Sequence, residues 1–306
     1  MTEIRKPFIA LFPGQGSQAV GMGADFYRES STAQELFEIA DKTLGFSLSK
    51  ICFEGPADQL TRTDIGQPAI LTVSTIAHQL WSQANPELTP DCAAGHSLGE
   101  YSALVAAGAL EFSDAVMLVH KRGQYMQEAV PIGEGKMVAV IGAEVDAIQT
   151  ALDSIDGVIE IANDNSPGQV VVSGSSAAID EFIASFAAKK LVPLEVSAPF
   201  HCSLMQPAAE RLAKDLDNLK ILPPAFPIIS NVLATAISEP EEIRTSLKAQ
   251  VCGSVRWVES MNYVTKNLNV QSALEFGHGN VLVGLMKRIN KDVERISISS
   301  IEHVNS

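Results

Sequence analysis

Cysteine is scarce and scattered: four residues, Cys52, Cys92, Cys202 and Cys252, with no Cys-x-x-Cys pair. A disulfide scaffold and a structural zinc site both need closely spaced thiols, so neither is expected, and no metal site is assigned. Positive charge is also in short supply. There are 22 Lys and Arg against 36 Asp and Glu, a net charge of −14. Binding to a nucleic-acid backbone depends on clustered cations, so nucleic acid is not an expected partner. No apolar run approaches the roughly 18–20 residues that cross a bilayer. The first residues, Met1-Thr2-Glu3-Ile4-Arg5-Lys6-Pro7, hold no apolar segment of the kind an export signal carries. A cytoplasmic chain with no membrane partner is the expectation. Internal repeats and low-complexity segments are missing too.

What is present is ample material for a core. The chain has 306 residues, 46% hydrophobic and 19% charged, enough for one large domain and a smaller one. Phe8-Ile9-Ala10-Leu11-Phe12 is a short apolar run flanked by proline and reads as a buried strand. It ends in the tight loop Pro13-Gly14-Gln15-Gly16-Ser17-Gln18. Apolar periodicity then predicts helices around 67–84, 98–107 and 111–128. At Pro131-Ile132-Gly133-Glu134-Gly135 the texture changes to a linker. Beyond it the pattern predicts strand 137–141, helix 144–153, strands 158–162 and 169–173, helix 175–187 and strand 191–196. That βαββαβ order is the split-βαβ, ferredoxin-like pattern. After Pro199 helices dominate, with short strands near 227–230, 272–276 and 296–300.

Gly95-His96-Ser97-Leu98-Gly99 matches Gly-x-Ser-x-Gly. A nucleophilic serine on a sharp strand-to-helix turn needs small neighbours two residues either side. The turn exposes the hydroxyl near a helix N-terminus, where backbone N–H groups can stabilise a developing oxyanion. The bare pattern is weak and also fits a glycine-rich turn with a capping serine. The apolar Cys92-Ala93-Ala94 before it and the helix from Leu98 to Ala107 after it favour the nucleophile. The expected fold class is therefore α/β. A larger, α/β-hydrolase-like catalytic domain takes residues 1–128 and 199–306, and a small ferredoxin-like α+β subdomain, 129–198, is inserted between them.

A serine hydroxyl needs a base, and six histidines are available. His78 and His120 fall within helices, His303 in the terminal tail, and His96 beside the nucleophile on a turn whose side chains diverge. His201, in Ala198-Pro199-Phe200-His201 at the domain junction, stands slightly ahead of His278 on position alone.

Several linked stretches then make the chain recognisable. Phe12-Pro13-Gly14-Gln15-Gly16-Ser17-Gln18, Gly95-His96-Ser97-Leu98-Gly99-Glu100-Tyr101-Ser102-Ala103, Arg122-Gly123 with Met126-Gln127, Asn165-Ser166-Pro167-Gly168-Gln169 and Ala198-Pro199-Phe200-His201 occur in that order. The chain resembles, over nearly its whole length, the malonyl-CoA:acyl-carrier-protein transacylases, the malonyl-loading enzymes of fatty-acid synthesis. The resemblance implies Ser97 as acylated nucleophile and His201 as its base and acid. It implies Gln250 as the residue whose main-chain carbonyl orients the histidine. The amides of Gln15 and Leu98 become the oxyanion hole, and Arg122 the holder of the malonyl carboxylate. A planar guanidinium suits that task, since its fork matches a carboxylate. Asn165 joins Arg122 on the substrate side. Met126, four residues from Arg122 on the same helical face, reads either as a wall of the acyl pocket or as core filling. Malonyl-CoA as substrate, acyl carrier protein as partner and no cofactor complete what the resemblance implies.

Two departures touch loops: Ser254 and His278 stand where the family usually has proline. Cys202 replaces a frequent serine and reads as a small packed side chain. The basic pairs Lys189-Lys190 and Lys287-Arg288 read as solvated faces, either of which could meet an acidic carrier. Three other readings compete with malonyl loading in fatty-acid synthesis: a discrete acyltransferase of a polyketide pathway, a serine thioester hydrolase, and an idle carrier-binding protein. The presence of Ser97 with His201 disfavours the last. Without the resemblance, Arg122 reads as a surface helix arginine in a salt bridge.

Overall fold

The structure is a computed structural model that describes residues 4–304. The strands are β1 (Phe8–Phe12), β2 (Cys92–Gly95), β3 (Gly135–Ile141), β4 (Ile159–Ser166), β5 (Gln169–Ser175), β6 (Lys190–Pro193), β7 (Ile228–Ile229), β8 (Ala236–Ile237), β9 (Ser272–Phe276) and β10 (Glu294–Ile298). They form two sheets in a mixed α/β fold. The first has the order β10-β9-β1-β2-β7-β8 and is parallel except for its last pair.

Every residue of β1, β2 and β9 is buried, as a parallel sheet covered on both faces requires. Alternation assigns the faces. Phe8, Ala10 and Phe12 point into one core with Ala93, Leu274 and Phe276. Ile9 and Leu11 point into the opposite core with Trp257, Met261 and Leu282. The expected strand 8–12 is found with the same bounds.

The helix Thr63–Ala84 runs through the first core and is buried nearly all round. It carries Pro68 in its interior. Proline cannot donate to the carbonyl four residues back, that of Asp64. His120 Nδ1 takes that freed oxygen at 2.7 Å. The same junction brings in the helix Phe112–Glu128. At Gly123 a Cβ would lie 2.6 Å from the Asp64 Cα, so only glycine lets the two backbones approach this closely. This contact sets neighbouring Arg122 against Gln67.

The second sheet is antiparallel, in the order β4-β5-β3-β6. Val138, Val140, Val170 and Val172 face Ile148, Ile179 and Phe182 of the helices Val145–Leu152 and Ser176–Ser185. The other face, with Met137, Ala162 and Val171, packs into the first sheet's core. β4 reaches further than the expected 158–162. Two irregularities, at Ile161/Asn163 and Asp164/Ser166, carry it past its polar residues. At Asn163 it also bridges to Val255, whose N–H donates to the Ala162 carbonyl at 2.8 Å. β6 is shorter than the expected 191–196, and β8 is an addition. Among the described residues no helix is long and apolar enough to cross a membrane.

Candidate active site

Ser97 stands on the turn between β2 and the helix Gly99–Ala106, with φ +51°. The turn is as tight as its glycines suggest. A Cβ on Gly95 would lie 1.8 Å from the Gly99 carbonyl carbon, and one on Gly99 would lie 2.0 Å from the Phe12 carbonyl oxygen. Left-handed backbone at a serine is strained and needs restraint. Asn231 Oδ1 accepts from the Ser97 N–H at 2.7 Å, and Gln250 Nε2 donates to the Ser97 carbonyl at 3.0 Å. Asn231 Nδ2 also donates to the Gly95 carbonyl at 2.7 Å, so one side chain spans the turn.

The Ser97 hydroxyl donates to His201 Nε2 at 2.7 Å. On the far side of the ring, Nδ1–H is shared between the carbonyls of Gln250 and Gly253, each at 3.0 Å. Two carbonyl acceptors fix the tautomer that leaves Nε2 free as a base. No carboxylate is needed for this. His201 also has a left-handed backbone, φ +59°, where the chain leaves Pro199. Burial, with Arg122 and then His96 adding to it, holds its imidazole down to about 3. The ring is therefore neutral at physiological pH.

Arg122 is not the surface residue that its helix position alone suggests; it is 1% exposed. Its Nη1 donates to Gln67 Oε1 at 2.8 Å, and its Nη2 to Gln250 Oε1 and to Ser97 Oγ, each at 3.0 Å. Ser97 Oγ thus accepts from a cation while donating to a neutral imidazole.

These groups open into a cavity of about 370 Å³ beneath the second sheet. Ser97, His201, Arg122, Met126, Gln15 and Leu98 all line it. Met126 is both wall and core, being 2% exposed. Gln250 lies behind the wall at 0% exposure and reaches the site through its polar atoms. Asn165 is outside the lining. Its Oδ1 accepts from His96 Nε2–H at 2.7 Å, and the His96 ring packs 5.5 Å from that of Trp257. Asn163, two residues earlier, is the β4 side chain that meets the cavity. Three polar partners escaped the sequence reading: Gln67, Asn231 and Glu100. Gln67 had a signal, a long polar side chain directly before Pro68 in the apolar stretch Ile65–Leu71. Glu100 had a weaker one, being the one charged residue in the helix Gly99–Ala106. Nothing in the sequence singles out Asn231.

The acyl transferase domain profile matches residues 9–282 of this chain. The chain is 44% identical over 300 residues to the malonyl CoA-acyl carrier protein transacylase of Bacillus subtilis, covering 96% of this chain and 94% of that protein. Its structure is similar to the crystal structure of an acyl carrier protein S-malonyltransferase from Vibrio cholerae, with TM-score 0.94 and 41% identity over 98% of this chain and 99% of the other. It is equally similar, at TM-score 0.94 and 38% identity over 98% of each chain, to a malonyl-transacylase solved in complex with its type II PKS acyl-carrier protein.

Proposed function

The chain belongs to the acyl transferase domain family, and from that premise we propose that it moves a malonyl group from malonyl-CoA to the phosphopantetheine thiol of acyl carrier protein, supplying fatty-acid synthesis. Ser97 is the nucleophile and His201 the base. The 2.7 Å hydrogen bond between them supports this pairing over any with His278. His201 takes the hydroxyl proton as Ser97 attacks the thioester carbonyl. The tetrahedral oxyanion rests on the Gln15 and Leu98 amides, an assignment supported by both residues lining the cavity at the helix N-terminus. His201 then returns the proton to the departing CoA sulfur, leaving malonyl-Ser97. The carrier thiol repeats the sequence in reverse. Gln250 orients the imidazole through its main-chain carbonyl. These steps call on no cofactor, malonyl-CoA being the substrate.

The observation that carries malonyl as the acyl group is Arg122, a buried cation 3.0 Å from the nucleophile. A charged acyl group is costly to bury unless a cation receives it. A simple esterase pocket has no use for such a group. Met126 forms one wall of the acyl pocket. Asn165 acts through His96 instead of touching substrate. The architecture is read as an α/β-hydrolase-like domain, 1–128 and 199–306, with a ferredoxin-like subdomain, 129–198, supported by the strand order of the second sheet. Substrates of this kind also put the proposed location in the cytoplasm. The likeness to the transacylase with a type II PKS carrier keeps polyketide supply as a second reading.

Intact-mass analysis after mixing with malonyl-CoA tests the nucleophile: a malonyl adduct is expected on the wild type and none on Ser97→Ala. For specificity, Arg122→Ala should cut malonyl transfer strongly, by the 2–5 kcal/mol or so that losing one partner of a desolvated charge pair costs. Acetyl transfer should stay equal or improve. Equal loss of kcat/KM for both thioesters would make Arg122 structural. Free malonate in place of malonyl-carrier would make the enzyme a hydrolase.

A further inference from the structure

Glu100 is 1% exposed, and none of the steps above uses it. Its Oε2 accepts from Gln250 Nε2 at 2.9 Å and from the Asn231 N–H at 3.1 Å. Arg122 has a matching peculiarity. It is as deeply buried, yet its partners Gln67, Gln250 and Ser97 are all uncharged. A guanidinium taken out of water and met only by neutral acceptors needs a counter-charge nearby. The Tyr101 ring lies 5.5 Å from it, but burial pushes that phenol up to about 12, so it supplies no charge. Glu100 is the carboxylate within reach, and one side chain stands between the two. The Gln250 amide receives Arg122 on its oxygen and donates to Glu100 from its nitrogen. An amide bonded to opposite charges at its two ends is polarised along its own dipole and couples them.

We propose that Glu100 is a positioning residue, the counter-charge of Arg122, held one amide away by Gln250 so that the guanidinium is balanced while its terminal nitrogens carry only neutral partners that an acyl carboxylate can replace. A direct Arg–Glu pair would be bidentate and would occupy those nitrogens. The substrate would then have to displace a buried partner. With the spacer in place, the empty pocket tolerates the cation, and the substrate has a neutral acceptor such as the Ser97 hydroxyl to displace instead of a buried carboxylate. Burial raises the Glu100 carboxyl to about 7, against the pull of Gln250, Asn231 and Arg122, so the pair is fully charged on the alkaline side of neutrality. The inference rests on Arg122 receiving the acyl carboxylate.

The test is a cycle of Glu100→Gln, Arg122→Ala and the double variant, studied at mildly alkaline pH. Glutamine keeps an acceptor for Asn231 and Gln250 and removes only the charge. Each single variant strands one buried charge and should lower the melting temperature. The double strands neither and should melt above Arg122→Ala. If Glu100→Gln fails to fold alone, the double should recover folding. A second arm uses Ser97→Ala protein, which binds thioesters without turnover. There Glu100→Gln should tighten malonyl-CoA relative to acetyl-CoA by about tenfold, because the field of Arg122 is no longer opposed. A double variant showing the full sum of the single losses would overturn the proposal. So would an unchanged malonyl-to-acetyl affinity ratio. Either result leaves Glu100 as a hydrogen-bond acceptor for the turn. Failure of the acyl assignment is separable: Arg122→Ala would keep its malonyl preference, while the stability cycle would still report the charge pair.

Discussion

Ser97 and His201 meet across 2.7 Å, and each holds a left-handed backbone that few side chains adopt. The Ser97 conformation persists because its backbone is tied on both sides, at N–H by Asn231 and at C=O by Gln250. Asn231→Ala releases the first tie and the bridge to Gly95. Acylation should slow on the order of 10²-fold, the usual cost of a small misplacement at a reacting atom. Rapid-quench mass measurement of malonyl-Ser97 would show it, with the circular dichroism spectrum unchanged; a wild-type rate would remove Asn231 from the design. The imidazole sets the pH behaviour. Its ordinary value is 6.5 and burial holds it down to about 3. Between those values the unfolded chain binds a proton that the native site refuses. His201 therefore subtracts stability progressively as pH falls through that window, and subtracts nothing above it. In activity, the acid limb of kcat/KM for acetyl-CoA should lie well below 6.5. Arg122 is the second cause of the depression, so Arg122→Ala should move the limb upward. Limbs at one common pH in both proteins would contradict that cause.

Helix against helix decides where Arg122 goes. The approach of Phe112–Glu128 to Thr63–Ala84 at Gly123 leaves no room for a methyl group, the nearest obstacle being backbone. Gly123→Ala should cost roughly 1–3 kcal/mol as overpacking, visible as a lower urea midpoint. It should also weaken malonyl-CoA more than acetyl-CoA by drawing the guanidinium away from Ser97. Stability loss with an unaltered substrate ratio would mean the helix gives without moving its side chain. Elements of this kind were partly legible beforehand. The strand 8–12, the nucleophile turn and the βαββαβ order all follow from local patterns of apolar, small and polar residues. The polar run Asn163-Asp164-Asn165 hid the length of β4, because the two register shifts against β5 break the alternation there and Val255, far along the chain, adds a bridge with no local signal. The two-residue strand β8 is too short to leave a periodic signal. Asn231, 134 positions from the serine whose amide it holds, is invisible for the same reason. Local sequence encodes an element; a contact between distant elements has no local trace.

The two sheets share one body of apolar packing, since Met137, Ala162 and Val171 of the second belong to the first sheet's core. A chain with such an interface should unfold in one step. Urea transitions followed by Trp81 and Trp257 fluorescence and by far-ultraviolet dichroism should coincide. Separate midpoints would instead mean that residues 129–198 come apart first. The order of the first sheet carries a further consequence, one that belongs to synthesis. β1, the first strand to be made, lies between β2 and β9. Its β9 edge stays open until residue 276 has been added, more than 260 residues after Phe12. At about 5–20 residues per second that interval is roughly 13–50 s. For that time the nascent chain has an unpaired edge on its most apolar strand, the kind of surface that recruits other chains. The proposed base waits as well, because the His201 ring is oriented by carbonyls at 250 and 253. The cover over that edge and the orientation of the His201 ring thus both wait on the stretch from 250 to 276, so the strand is shielded and the proposed site completed almost together.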